Sequence, residues 1–172
     1  MSLFIALSIV FGKFLAFNAG EMVRISFENL PILFAGITLG PLAGAAVAVV
    51  ADLLGCILVG YAINPIITAG AVLIGVISGL LGMCVLSRGA EKLGTWRIFL
   101  PVYAAHIVGS MVVKTIGMMV YYGTTPEIFY VRVPLYLAIA LPEGYLLMLL
   151  FRSKTFTGEL NRIISKKKRG SK

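Results

Sequence analysis

From Leu53 to Ser87 the chain runs 35 residues without a charged side chain. A soluble fold hides apolar residues on one face of each element, so an unbroken stretch of this kind belongs to a chain whose solvent is hydrocarbon. The composition agrees, with 59% hydrophobic and 13% charged residues and a mean hydropathy of +0.99. At roughly 20 apolar residues per crossing, the length holds about six short spans and leaves no room for a soluble catalytic domain. The fold class expected is an all-α membrane protein, a compact bundle of six transmembrane helices.

Apolar runs and their breakers place the spans at about Ser2 to Phe17, Leu30 to Leu42, Gly44 to Gly60, Pro65 to Leu86, Ile98 to Tyr121 and Val133 to Phe151. The second and third are short and meet at Gly40-Pro41, where proline removes an amide donor and glycine permits a turn; a tight re-entry is expected there. Residues 1–151 then form the membrane domain and residues 152–172 a basic tail. The segment from Ser87 to Arg97 and the tail carry eleven of the 15 bases, three plus eight. The opposite loops contain only Arg24 and Arg132, so both termini are expected in the cytoplasm of a multi-pass cell-membrane protein. The basic run in the tail reads as a mark of that face and its anionic lipids, and not as a nucleic-acid contact. The first span, with no basic region before it, reads as a retained helix and not a cleaved signal.

Small residues recur at four-residue spacing at Gly36, Gly40, Gly44 and Ala48, and again at Gly75 and Gly79, which lets helices approach closely in lipid. Ser2 and Ala6 form another small pair on the first span, open to a neighbour in the bundle or to a partner protein. Cys56 and Cys84 lack CxxC spacing and accompanying histidines, so they read as packing residues, with no metal site and no cofactor expected.

An ionisable group deep in a bilayer costs on the order of 3 kcal/mol unless it is paired or wet. Lys13, Asp52, His106, Lys114 and Glu143 are therefore the functional candidates. Lys13 must snorkel or find a partner. Lys114 either binds ligand or neutralises Asp52 as a structural pair, and His106 either relays protons or bonds a neighbour. Around the outer ends lie Arg24, Glu28, Asn29, Tyr61, Asn64, Tyr121, Tyr122 and Arg132. Asn64-Pro65 reads as N-cap and first-turn proline of the fourth helix, with Asn29 and Pro31 similarly placed before the second. Basic side chains, helix N-termini and tyrosine faces together suit a small anionic, aromatic solute entering from outside. The chain shows no nucleophile elbow, no HExxH and no Walker pattern, so it reads as no enzyme and no ATPase.

The string RISFENLPILFAGITLGPLAGAAVAVVADLLG, Arg24 to Gly55, followed by GYAINPIITAGAVLIGVISG, Gly60 to Gly79, resembles the folate-type substrate-binding component of energy-coupling factor transporters. The pattern covers the first four spans, and the last two agree in length and placement. The resemblance implies a six-helix subunit that captures a vitamin from outside and docks on a transmembrane T component with two ATPase subunits. It implies a lid over Asn18 to Asn29, and it makes Ser2 and Ala6 docking residues, although the family has alanine at both positions. For a folate ligand the chemistry assigns Arg24, Lys114 and Arg132 to the glutamate tail, Asn64 or Glu28 to the pterin, and Tyr61 or Tyr121 to stacking, with Asn29 beside them. Other vitamins or precursors, such as pantothenate or a queuosine precursor, and a proton-coupled secondary transporter using Asp52, Glu143 or His106 are the alternatives.

Overall fold

The structure is a computed structural model that describes residues 1–14, 16–18, 24–87, 95–153 and 157–158. Among these, six apolar helices follow one another: α1 (Ser2–Phe14), α2 (Asn29–Leu39), α3 (Pro41–Val59), α4 (Pro65–Leu86), α5 (Trp96–Tyr122) and α6 (Ile128–Arg152). The bundle expected from the sequence is present, with one difference in scale. Only α3 to α6 are long enough to cross a membrane, while α1 and α2 are shorter. A two-residue antiparallel pairing of β1 (Phe17–Asn18) with β2 (Arg24–Ile25) joins α1 to α2. The basic tail lies outside the described residues beyond Ser153, apart from Thr157 and Gly158.

The break between α2 and α3 falls at Gly40, whose φ of 103° is open to glycine and strained for other residues. Pro41 then starts α3 at a position where a missing amide hydrogen costs nothing. Gly36 and Gly44, four residues to either side of Gly40, face each other across the hairpin, and α4 lies against both. A Cβ on Gly36 or on Gly44 would sit 2.6 Å from the Gly75 carbonyl oxygen, and one on Gly79 would sit 2.5 Å from the Pro41 Cα. The small-residue spacing seen in the sequence is thus a three-way backbone crossing, continued at Gly82 against Ile37.

Helix α6 begins at Ile128, earlier than the expected Val133, and runs through Pro134 and Pro142. Proline is tolerated inside membrane helices because neighbouring helices and local adjustments serve the freed carbonyls. Two widened π-helical stretches, Val10–Phe14 in α1 and His106–Val113 in α5, have no counterpart in the sequence reading. The distribution of side chains is that of a protein in lipid. Leu3, Leu42, Ile57 and Val120 point outward, while Ser78, His106, Ser110, Thr115 and Glu143 are fully enclosed. At the end of the bundle away from the hairpin strands, Phe34 links Phe4 and Phe151, with ring centroids 5.2 and 5.5 Å apart.

Since Gly75 touches backbone and not a flexible side chain, Gly75→Leu should separate α4 from the α2–α3 hairpin. A loss of about 3 kcal/mol or more is expected, read as a lower melting temperature in detergent. Ala46→Leu, at an exposed position of α3, should leave the melting temperature unchanged.

Candidate functional site

The helices α1, α2, α3, α4 and α5 line a narrow recess that is partly open to the outside. Its polar lining is Ser8 and Lys13 from α1, Glu28 just before α2, Asp52 from α3 and Lys114 from α5. Ile32 and Ala71 add apolar walls.

Lys114 is the centre of this arrangement. Only 4% of it is exposed, and its Nζ donates to Glu28 Oε1 at 2.9 Å and to Asn29 Oδ1 at 3.2 Å. An ammonium group in a bilayer is stable only with partners of this kind. The partners are Glu28 and Asn29, not Asp52 as a two-residue pair would require. Asp52 instead accepts from the Thr68 hydroxyl, one helix over. Lys13 extends past Gly55 and places its ammonium 5.4 Å from the centre of the Tyr61 ring. The snorkelling lysine of the sequence reading therefore finds an aromatic face as well as the recess.

Glycines make room for these charges. A Cβ at Gly12 would lie 2.8 Å from Glu28 Oε2, one at Gly55 would lie 2.7 Å from Lys13 Cε, and one at Gly70 would lie 2.7 Å from Lys114 Cγ. Glu28 is also fixed through its backbone, since the Ser8 hydroxyl donates to its carbonyl oxygen at 2.8 Å.

The other sequence candidates serve different ends. Asn64 is the α4 N-cap, accepting from the amides of Ile66 and Ile67 while its own amide donates to the Gly117 carbonyl at 2.9 Å. This is the cap that the Asn-Pro pair predicts, and it occupies both ends of the side chain. Arg132 lies inside α6, not in a loop, and donates to Thr115 Oγ1 at 3.0 Å and to the Tyr136 hydroxyl at 3.1 Å. Tyr121 is half-exposed near the end of α5. Arg24 pairs with Asn18 through the strand backbone, and its side chain lies outside the described residues. Ser2 and Ala6 are both exposed on the outer side of α1. The recess thus joins Glu28, Asn29 and Lys114 from the expected set, with Tyr61 reached through Lys13. Lys13 and Asp52, functional candidates in the sequence as charges within apolar spans but not assigned to the ligand there, also line the recess; Ser8 carried no signal.

His106 and Glu143 form a second polar centre between α5 and α6. His106 Nε2 lies 2.6 Å from Glu143 Oε2 and its Nδ1 lies 3.2 Å from Ser110 Oγ, with both residues fully enclosed. Glu143 Oε1 has no hydrogen-bond partner among the described residues. The Tyr136 ring stacks on the imidazole at 6.0 Å. These residues bond one another and are not part of the recess lining.

A charge-lined recess within an apolar bundle is the kind of site in which a membrane-embedded protein binds a small polar molecule. The chain belongs to the family described as ECF transporter, substrate-specific component, whose model matches residues 1–165. It is accordingly an integral membrane protein and the substrate-binding part of a vitamin-type transporter. Solved structures share the fold. One is the crystal structure of FolT bound with folic acid, which superposes with a TM-score of 0.63 over 84% of this chain and 88% of that one, at 23% sequence identity. No curated protein sequence matches the chain significantly.

Glu143→Ala should leave the His106 ring without its partner in a dry interface and cost on the order of 3 kcal/mol. Glu143→Gln, which can still bond Nε2, should cost clearly less. Thermal unfolding of the detergent-solubilised variants measures both.

Proposed function

We propose that this chain is the binding subunit for a folate-class vitamin, taken up by docking on a transmembrane T component energised by two ATPase subunits. The observation that carries the reading is Lys114, a cation buried at the wall of a recess inside the bundle and held by a carboxylate and an amide oxygen. A lysine kept there at such cost has a use for an anion, and the glutamate end of a folate supplies carboxylates. Asp52, at the same recess, is a carboxylate of the kind that the donor edge of a pterin requires. Tyr61, under the Lys13 ammonium, offers the aromatic face. The sequence pattern from Arg24 to Gly79 supports the same ligand class. The likeness to FolT supports the fold on which such a site is built.

In this reading Arg132 and Asn64 hold the helices that position Lys114 and do not touch the ligand. The hairpin of β1 and β2 stands at the mouth as the base of a lid. The exposed pair Ser2 and Ala6 meets the T component, where small side chains allow helices to approach closely. The bases of the tail sequence, residues 152–172, suit the anionic lipids of the cytoplasmic leaflet. A monocarboxylate such as pantothenate makes use of the same lysine, and competition against folic acid separates the two.

Lys114→Ala should weaken folic acid binding by about 100-fold, the usual scale for a desolvated charge-assisted contact worth ~3 kcal/mol. Equilibrium dialysis on the purified protein measures it, and unchanged affinity would remove the tail site. Replacing both Ser2 and Ala6 with Trp should leave folic acid binding intact and abolish co-purification with the T component.

A further inference from the structure

Four charged side chains line the recess, two positive, Lys13 and Lys114, and two negative, Glu28 and Asp52, so its formal charge is zero. Net charge inside a membrane bundle is costly. A ligand that enters with a carboxylate adds a negative charge to a recess already balanced, and the Lys114 ammonium, with one N–H on Glu28 and one on Asn29, has a single donor left to offer it. A neutral recess and a two-point contact with the ligand both require that a resident carboxylate give way. Asp52 sits within α3 and is held by Thr68. Glu28 sits at the start of α2, directly after the short strand pairing, and its side chain is 28% exposed against 5% for Lys114. Its carboxylate, set before α2 and not within a helix as Asp52 is, therefore has a route out of the recess.

We infer that Glu28 is an internal stand-in for the ligand's carboxylate: it holds Lys114 in the empty protein and is displaced by the incoming anion, and so sets how tightly anionic ligands bind while leaving neutral ones unaffected. This rests on the recess being the ligand site. The exchange solves a problem that the membrane poses. Without Glu28 the empty subunit would carry an unpaired buried ammonium, and with it every anionic ligand competes against an attached rival. The apparent affinity is lowered by the fraction of molecules in which Lys114 is free to bind. Release of the Glu28 carboxylate also empties the space above Gly12 on α1, while the Ser8 hydroxyl keeps its bond to the Glu28 backbone carbonyl.

The test compares the full-length protein with Glu28→Gln, which keeps the size of the side chain and removes its charge. Folic acid, pantothenate and 6-methylpterin, which has no carboxylate, are titrated against both, and the empty proteins are melted. The variant is expected to bind the carboxylate ligand about tenfold or more tightly than the wild type, to bind 6-methylpterin no differently, and to melt at a lower temperature when empty. Glu28→Asp, whose carboxylate is drawn back from Lys114, should show a smaller gain and provides the comparison should the Gln variant fail to fold. Weaker binding of the carboxylate ligand by a variant that still folds would mean that Glu28 contacts the ligand, and would overturn the exchange. An equal gain for 6-methylpterin would overturn it as well, because the effect would not depend on the ligand's charge. Should the wild type bind pantothenate and not folic acid, the folate reading fails while the same ratio still decides the exchange. If none of the three binds to the wild type or to either variant, the recess is not the site and both proposals fall.

Discussion

The backbone crossing at Gly36, Gly44 and Gly75 is the constraint on which the rest of the bundle depends. In lipid there is no hydrophobic force to drive helices together, so association rests on close packing and on polar contacts between helices. A Cβ at Gly36 or Gly44 would overlap the Gly75 carbonyl oxygen, which means that α4 can approach the α2–α3 hairpin this closely only because both sides lack side chains. That contact fixes α2 as a short helix stopping at Gly40, and it places Asn29 and Glu28 at the level of Lys114. If α4 stood further out, Gly70 would no longer be the floor under the Lys114 stem.

Charge and glycine then work together at the recess. Each of Glu28, Lys13 and Lys114 lies over a glycine of a neighbouring helix. A charged side chain needs width near its Cα before its head can turn toward a partner, and in a bundle this tight a glycine opposite supplies the width. The polar heads then bond one another or a hydroxyl, as Asp52 does with Thr68. The resulting cluster is neutral in sum, a form in which charges can persist inside a membrane protein.

Much of this was legible in the sequence, for identifiable reasons. The 35 uncharged residues from Leu53 to Ser87 fixed the solvent, Gly40-Pro41 fixed the hairpin, and Asn64-Pro65 fixed a capped helix start. Each is a local signal whose meaning does not depend on the rest of the chain. Lys114 also stood out, because a cation in an apolar run has few explanations. Its pairing with Glu28 and Asn29 did not, since these residues are far from Lys114 in sequence and only the packing of α2 against α4 and α5 brings them together. Arg132 falls just before the apolar run that starts at Val133, which places it in a loop on sequence alone. Inside a bundle Pro134 is accommodated, and the helix begins upstream of it at Ile128. The roles of Gly12, Gly55 and Gly70 are not legible in the sequence, because nothing local distinguishes a glycine that passes a charge from one that only packs.

The widened stretch of α5 explains how one helix serves two polar centres. An α-helix sets residues five apart about 140° from each other around its axis, whereas a π turn brings them to the same face. Gly109 and Lys114 are five apart, and a Cβ at Gly70 would meet both, at 2.9 Å from the Gly109 carbonyl oxygen and 2.7 Å from Lys114 Cγ. The π-helical run His106–Val113 is therefore what lets the tight α4–α5 approach at Gly109 and the lysine of the recess share one line along α5. Its carbonyls and side chains are engaged from the other side. His106 is held by Glu143 and Ser110, the Thr115 hydroxyl donates to the Ser110 carbonyl, and Arg132 donates to that same Thr115. The second polar centre, which does not touch the recess, thus braces the irregular turn that aims Lys114 into it. In α1 the corresponding stretch, Val10–Phe14, precedes the strand pairing and carries Lys13. Both helices that bring a lysine to the recess depart from α geometry where they do so.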